Sequence, residues 1–121
     1  YGWHSVGHDS GVAFRWTAQH ASAFFRLDEP GAHVTFEWIP CARGQQTVTI
    51  WIRPVGEVEP IWSAQVQDAT VGWVWQTHRL ECALPAGLYE CVIQNAVPFQ
   101  NDYGALLGSA IRSIAFEYTL P

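Results

Sequence analysis

The sequence predicts an all-β fold, an antiparallel β-sandwich of jelly-roll type with about eight strands, on three observations from its 121 residues. Apolar and polar residues alternate with period two in successive short stretches. Turn-forming segments separate those stretches at fairly even spacing. No long stretch repeats its apolar residues at helical period, and evenly spaced half-buried strands close into a sandwich or barrel.

The strands follow in chain order. In VAFRWT, Val12, Phe14 and Trp16 share one face, and Ala13, Arg15 and Thr17 the other. AFFRL is a weaker strand. HVTFEWI sets Val34, Phe36 and Trp38 against His33, Thr35 and Glu37, and TVTIWIR turns Val48, Ile50 and Ile52 inward, leaving Thr47, Thr49, Trp51 and Arg53 on its other side. IWSAQV and WVWQTHRL read as further weak strands, the second placing Trp73 and Trp75 on one face. LYECVIQ and IRSIAFEYTL complete the set, with Ile114, Phe116 and Tyr118 aligned. Turns fall at residues 28–31, 40–44, 54–60, 68–72 and 84–87. The glycine-rich start, GWHSVGHDSG, and the segment NAVPFQNDYGALLG read as loops.

With 49% hydrophobic residues the chain can fill a core, and its length fits a single domain over residues 1–121. It lacks an initiator Met and contains no Met at all, so it reads as a domain cut from a longer protein or as a processed one. No apolar run approaches the roughly 18 residues that span a bilayer, and no signal peptide is visible. Net charge is −5, and the six arginines are scattered rather than clustered, so nucleic acid is not expected as a partner. Cys41, Cys82 and Cys91 show no CxxC spacing. They read as buried thiols in a reducing compartment, with a bridge between Cys82 and Cys91 as the alternative.

Catalysis is not expected. No Ser or Cys lies in a nucleophile elbow, LGSA at 107–110 lacks the flanking glycines, and the acids do not form an evident facing pair. His4 and His8 have zinc-pair spacing for a helix, but their glycine-rich setting opposes one, so no metal cofactor is expected. Calcium on Asp9, or on Asn101 and Asp102, is the alternative, because that cation takes carboxylate and amide oxygens. Otherwise those acids brace their own loops.

The unusual feature is seven tryptophans. Trp16 and Trp38, aligned with Phe14 and Phe36, read as core. Trp51 shares its face with polar residues, Trp73 and Trp75 form either core or an exposed platform, and Trp3 sits beside His4. A ring face flanked by amides, carboxylates and hydroxyls is what a sugar needs.

Several short motifs recur in a known order: GWHSVGHD and FRWT early, GWVWQTHRL and LPAG in the middle, PFQNDYGALLG and IRSIAFEY at the end. In that order the chain resembles the carbohydrate-binding-module-like β-sandwich domains appended to bacterial glycosyltransferases and sugar-modifying methyltransferases. His8-Asp9 stands where that group carries Glu, and Ala105-Leu106 where it commonly carries Arg. The resemblance implies a non-catalytic module that binds an oligo- or polysaccharide for an attached catalytic domain. Two placements of the site stand open. In one, Phe99 or Tyr103 stacks while Asn101, Asp102 and His4 hydrogen-bond, with Trp3 in the same N-terminal loop. In the other, the site is a sheet face bearing Trp51, Trp73 or Trp75. The alternative function is an interaction module that docks other domains or self-associates through exposed rings.

Overall fold

The computed structural model describes residues 1–9, 11–101 and 103–118. These form eleven strands and no helix: β1 (Trp3–Asp9), β2 (Val12–Thr17), β3 (His20–Leu27), β4 (Gly31–Ile39), β5 (Val48–Pro54), β6 (Trp62–Val66), β7 (Gln76–Leu84), β8 (Gly87–Asn95), β9 (Phe99–Gln100), β10 (Leu106–Leu107) and β11 (Ala110–Tyr118). A five-stranded sheet in the order β1-β2-β11-β4-β7 faces a four-stranded sheet in the order β3-β8-β5-β6. All strand pairs are antiparallel, and β9 and β10 form a separate two-stranded ribbon. The chain crosses between the sheets repeatedly, so this is the expected β-sandwich.

The alternation seen in the sequence builds the core. Val34, Phe36 and Trp38 of β4, with Cys82 and Leu84 of β7, meet Val48, Ile50 and Ile52 of β5 and Tyr89, Cys91 and Ile93 of β8. Phe25 stacks on Phe116 across the sandwich at 4.1 Å between centroids. Each such side chain is stabilised in proportion to the apolar area it removes from water.

Four local readings change. The N-terminal segment is not a loop: Trp3–Asp9 is an edge strand paired with β2 in the register Gly7↔Phe14 and Asp9↔Val12. The segment from residue 99 to 107 is a ribbon whose strands pair Phe99 with Leu107. The strand containing the Trp73 motif begins only at Gln76, so Trp73 and Trp75 lie in the preceding irregular segment. Phe14 and Trp16 do not point into the space between the sheets. Cross-strand partners share a face, and Arg15 aligns with Ile111 and Trp38, which is buried core, whereas Trp16 aligns with Ala110 and Ile39 on the outer side.

The three cysteines are free and buried. Cys82 belongs to the five-stranded sheet and Cys91 to the four-stranded one. Burial, the neighbouring Cys82 and Glu90 push the Cys91 thiol up to about 12, which keeps it protonated and unreactive at neutral pH.

One core contact makes stability depend on pH. Trp38 donates its indole N–H to His78 Nδ1 at 2.7 Å, so Nδ1 has to stay unprotonated. Burial lowers the His78 pKa from its ordinary 6.5. As pH falls, the unfolded chain therefore takes up this proton before the folded chain does. The contribution is complete above the unfolded value and is lost as pH drops from there through the lowered folded value. A Tm series below pH 6.5 should fall more steeply for wild type than for His78→Gln; parallel curves would contradict this.

Candidate functional site

The outer face of the five-stranded sheet divides in two. One part carries charged and polar side chains from β4, β7 and β11: Arg79 pairs with Glu117 at 2.7 Å and Arg112 with Glu37 at 3.5 Å, and His33 Nδ1 lies 3.8 Å from Glu117. The other carries rings. Phe14 and Trp16 of β2 lie there over Ile39 and Ala110, and the segment after Gly72 lays Trp73 and Trp75 against them. Centroid separations are 5.5 Å for Phe14–Trp73, 5.6 Å for Phe14–Trp75, 5.6 Å for Trp16–Trp73 and 5.8 Å for Trp73–Trp75. Most of these pairs are edge-on, the arrangement that matches ring edge to ring face. Phe99 joins through its edge-on contact with Trp16 at 5.3 Å.

The local sequence explains how an irregular segment holds two indoles in place. Gln76, the first residue of β7, donates from Nε2 to Thr70 O at 2.9 Å and accepts at Oε1 from Thr70 N at 3.2 Å. This clamps both ends of the segment. Gly72 takes φ +112°, a left-handed conformation that side chains resist, and donates its N–H to Cys41 O at 2.8 Å. Asp9, at the end of β1, fixes the rings themselves. Its Oδ2 accepts from Trp73 Nε1 at 2.8 Å and from Trp75 Nε1 at 3.0 Å. An anionic acceptor makes both bonds charge-assisted. Trp73 nevertheless remains 45% exposed. The result is a rigid aromatic plate with one indole open to solvent.

Asp9→Ala should therefore loosen the plate without unfolding the sandwich. The expected result is red-shifted tryptophan emission that acrylamide quenches more readily; an unchanged spectrum would show that the rings hold their positions without the carboxylate.

Beside the plate, Arg43 lies over the Phe99 ring, its guanidinium carbon 5.3 Å from the centroid. Arg43, Phe99, Gln100 and Asn101 line a shallow cavity of about 250 Å³. Asn101 Oδ1 accepts from Tyr103 N and Ala105 N, both at 2.9 Å, which makes the turn between β9 and β10.

The structure thus brings together Trp73, Trp75 and Phe99, with Asn101 at the rim. It separates the other candidates. Trp51 is partly buried on the outer face of the four-stranded sheet, in the row of Val92 and Ser63, on the opposite side of the molecule. The neighbouring rows there carry Thr49, Gln65 and Gln94, and the Arg53–Glu90 ion pair at 2.6 Å. Trp3 packs on the core and donates its indole N–H to Ser22 O at 2.9 Å, linking β1 to β3. His4 Nε2 is 3.0 Å from Leu106 O and ties β1 to the ribbon. Tyr103 is 95% exposed at the ribbon turn and contacts none of the plate's rings in the described residues. Asp102 lies outside the described residues. A larger cleft, about 450 Å³, opens where β2 parts from β11, walled by Trp3, Val6, Ala13, Ile111 and Ile114 among others. It offers no comparable open indole, since Trp3 is committed to the core and to Ser22.

Sequence reasoning did not place Phe14, Trp16, Asp9 and Arg43 in the site. Period-two alternation shows that Phe14 and Trp16 share a face but not which one. Asp9 meets its partners across 64 and 66 residues, a pairing with no local signal. Among the described residues no group of three or more His, Cys, Asp or Glu side chains is arranged to hold a metal ion. Of the residues considered for calcium, Asp9 accepts two indole N–H groups at Oδ2 and Asn101 accepts two backbone N–H groups at Oδ1, while Asp102 lies outside the described residues.

No protein-family model matches the chain. No curated protein matches it either. Among solved structures it is similar to one described as "CBM4 structure and function", with a TM-score of 0.59 and 12% sequence identity, covering 95% of this chain and 77% of that one. The chain shares the β-sandwich fold of that structure.

Proposed function

We propose that this is a non-catalytic carbohydrate-binding domain that engages a glycan on the Trp73 plate and directs an attached catalytic domain to it. The observation that carries the reading is Trp73 itself. Its indole is nearly half exposed, yet hydrogen-bonded at Nε1 and packed against three other rings. A ring whose exposure reflects poor packing would lack such anchors. The apolar face of a pyranose can stack on it, and the rim amides of Gln100 and Asn101, which lie beyond Trp16 and Phe99, are open to hydroxyls of further units of the same glycan. The plate loses little freedom on binding, because its rings are already fixed. The likeness to a structure described as a CBM4 supports the fold part of this reading.

A glycan array probed with the domain, followed by titration calorimetry on the best spots, tests it. Binding should appear at millimolar concentration or better and should shield tryptophan fluorescence from acrylamide. Failure of every saccharide at millimolar concentration would favour a second reading, an interaction module. One surface supports that alternative: Phe24, 68% exposed, with Val55 and Leu88, 49% and 50% exposed, borders an apolar cleft at the end of the four-stranded sheet.

A further inference from the structure

Resting on the glycan reading of the plate, we infer that its ligand is an acidic glycan, with a uronic acid carboxylate received by Arg43. Phe99 is not free to stack a sugar on the face that Arg43 covers. Its ring stands edge-to-face with Trp16 and one face carries the guanidinium, so it serves as the pedestal that positions Arg43. Arg53, Arg79 and Arg112 are each paired with a glutamate. Arg43 makes no ion pair or hydrogen bond among the described residues, and its only partner there is the Phe99 ring.

The cavity beside it has a one-sided hydrogen-bonding character. None of its four lining residues is acidic. Asn101 spends its oxygen on two backbone N–H groups, which leaves its Nδ2 donors for a ligand. Gln100 donates one Nε2 hydrogen to Gly104 O at 3.1 Å and keeps its second N–H and its Oε1 for a ligand. A planar guanidinium and an amide NH2, with no carboxylate among the described residues of the lining, call for an acceptor-only group. A carboxylate is one, and it takes the guanidinium's two parallel donors. Among the described residues, the Asp9 carboxylate holds the two indole N–H groups at Oδ2 and makes no ion pair with Arg43. The chain's net charge of −5 gives no general attraction for anions, so selection of an acidic sugar has to come from this local cation. Trp73, Trp16, Phe99 and Arg43 form a continuous run of contacts, each 5.3 to 5.6 Å. Three such steps separate Trp73 from Arg43, so the ligand that engages both is an oligosaccharide rather than a single sugar.

The test uses an array carrying oligogalacturonates and glucuronate-bearing xylo-oligosaccharides, each printed beside its carboxyl-reduced counterpart of identical linkage. Wild type should retain at least one acidic member about tenfold more strongly than its reduced partner, as a charge-assisted bidentate bond requires. Arg43→Gln should bring that ratio close to one, with Arg43→Lys in between. Equal retention of both forms by wild type would overturn the carboxylate inference while leaving the glycan-binding plate standing. Retention of neither class, and of no neutral glycan, would overturn both.

Discussion

Trp73→Ala should abolish most glycan affinity while leaving the sandwich folded. Truncating a central aromatic anchor costs about 2 kcal/mol or more, which is roughly thirtyfold in Kd. Trp73 meets the conditions for such an anchor: an open face, a fixed indole N–H and a ring bed beneath it. The fold should survive because Trp73 lies outside the core between the sheets and belongs to no strand. Trp51→Ala is the internal control. It removes an indole of similar size from the other outer face, and affinity should stay within error of wild type. Equal losses in the two variants, or a loss confined to Trp51→Ala, would move the site to the four-stranded sheet.

The second large effect concerns stability. Gly108→Ala should destabilise the domain by about 2–3 kcal/mol, the sum expected from overpacking and from disturbing buried hydrogen bonds. A Cβ at Gly108 would run into Asn95 Nδ2 and lie 2.6 Å from Thr17 Oγ1. Those atoms belong to a network that joins the two sheets at one end. Asn95, closing β8, donates from Nδ2 to Thr17 Oγ1 at 3.0 Å and accepts at Oδ1 from the Ser109 hydroxyl at 2.7 Å. Thr17 Oγ1 also accepts from Ser109 N at 2.9 Å, and the backbones pair through Gly108 N to Thr17 O and Thr17 N to Ser109 O, both at 2.8 Å. Asn95, Thr17 and Ser109 are fully buried, so a lost partner is not replaced by water. Urea unfolding curves would measure the change; a midpoint matching wild type would show that the network yields without cost.

The fold was legible wherever one face of a strand is core and the other is not. Residues 33–38 and 47–53 alternate cleanly because β4 and β5 sit mid-sheet with their inner sides sealed. β1 was hidden by its glycines. Gly7 is not there to turn the chain; a Cβ would lie 2.9 Å from the Phe14 ring, so its absence makes room for the plate. Trp73 and Trp75 stand out in the sequence, but their two-residue spacing imitates a strand face. The physical reason they sit together is a shared acceptor on β1, which only the folded chain supplies. Phe14 and Trp16 pack in a hydrophobic cluster, but on the outer side: the five-stranded sheet buries rings on both sides, so alternation alone does not identify the inner one. The network of Thr17, Asn95 and Ser109 spans up to 92 residues and leaves no trace in local composition.

The most direct test follows the indole N–H resonances of all seven tryptophans in nitrogen-15-labelled domain during titration with the tightest oligosaccharide found on the array. The plate reading predicts that the Trp73 signal moves most, Trp75 follows through the shared Asp9 oxygen, and Trp51 and Trp38 stay in place. Movement of Trp51 with Trp73 and Trp75 unshifted would contradict it.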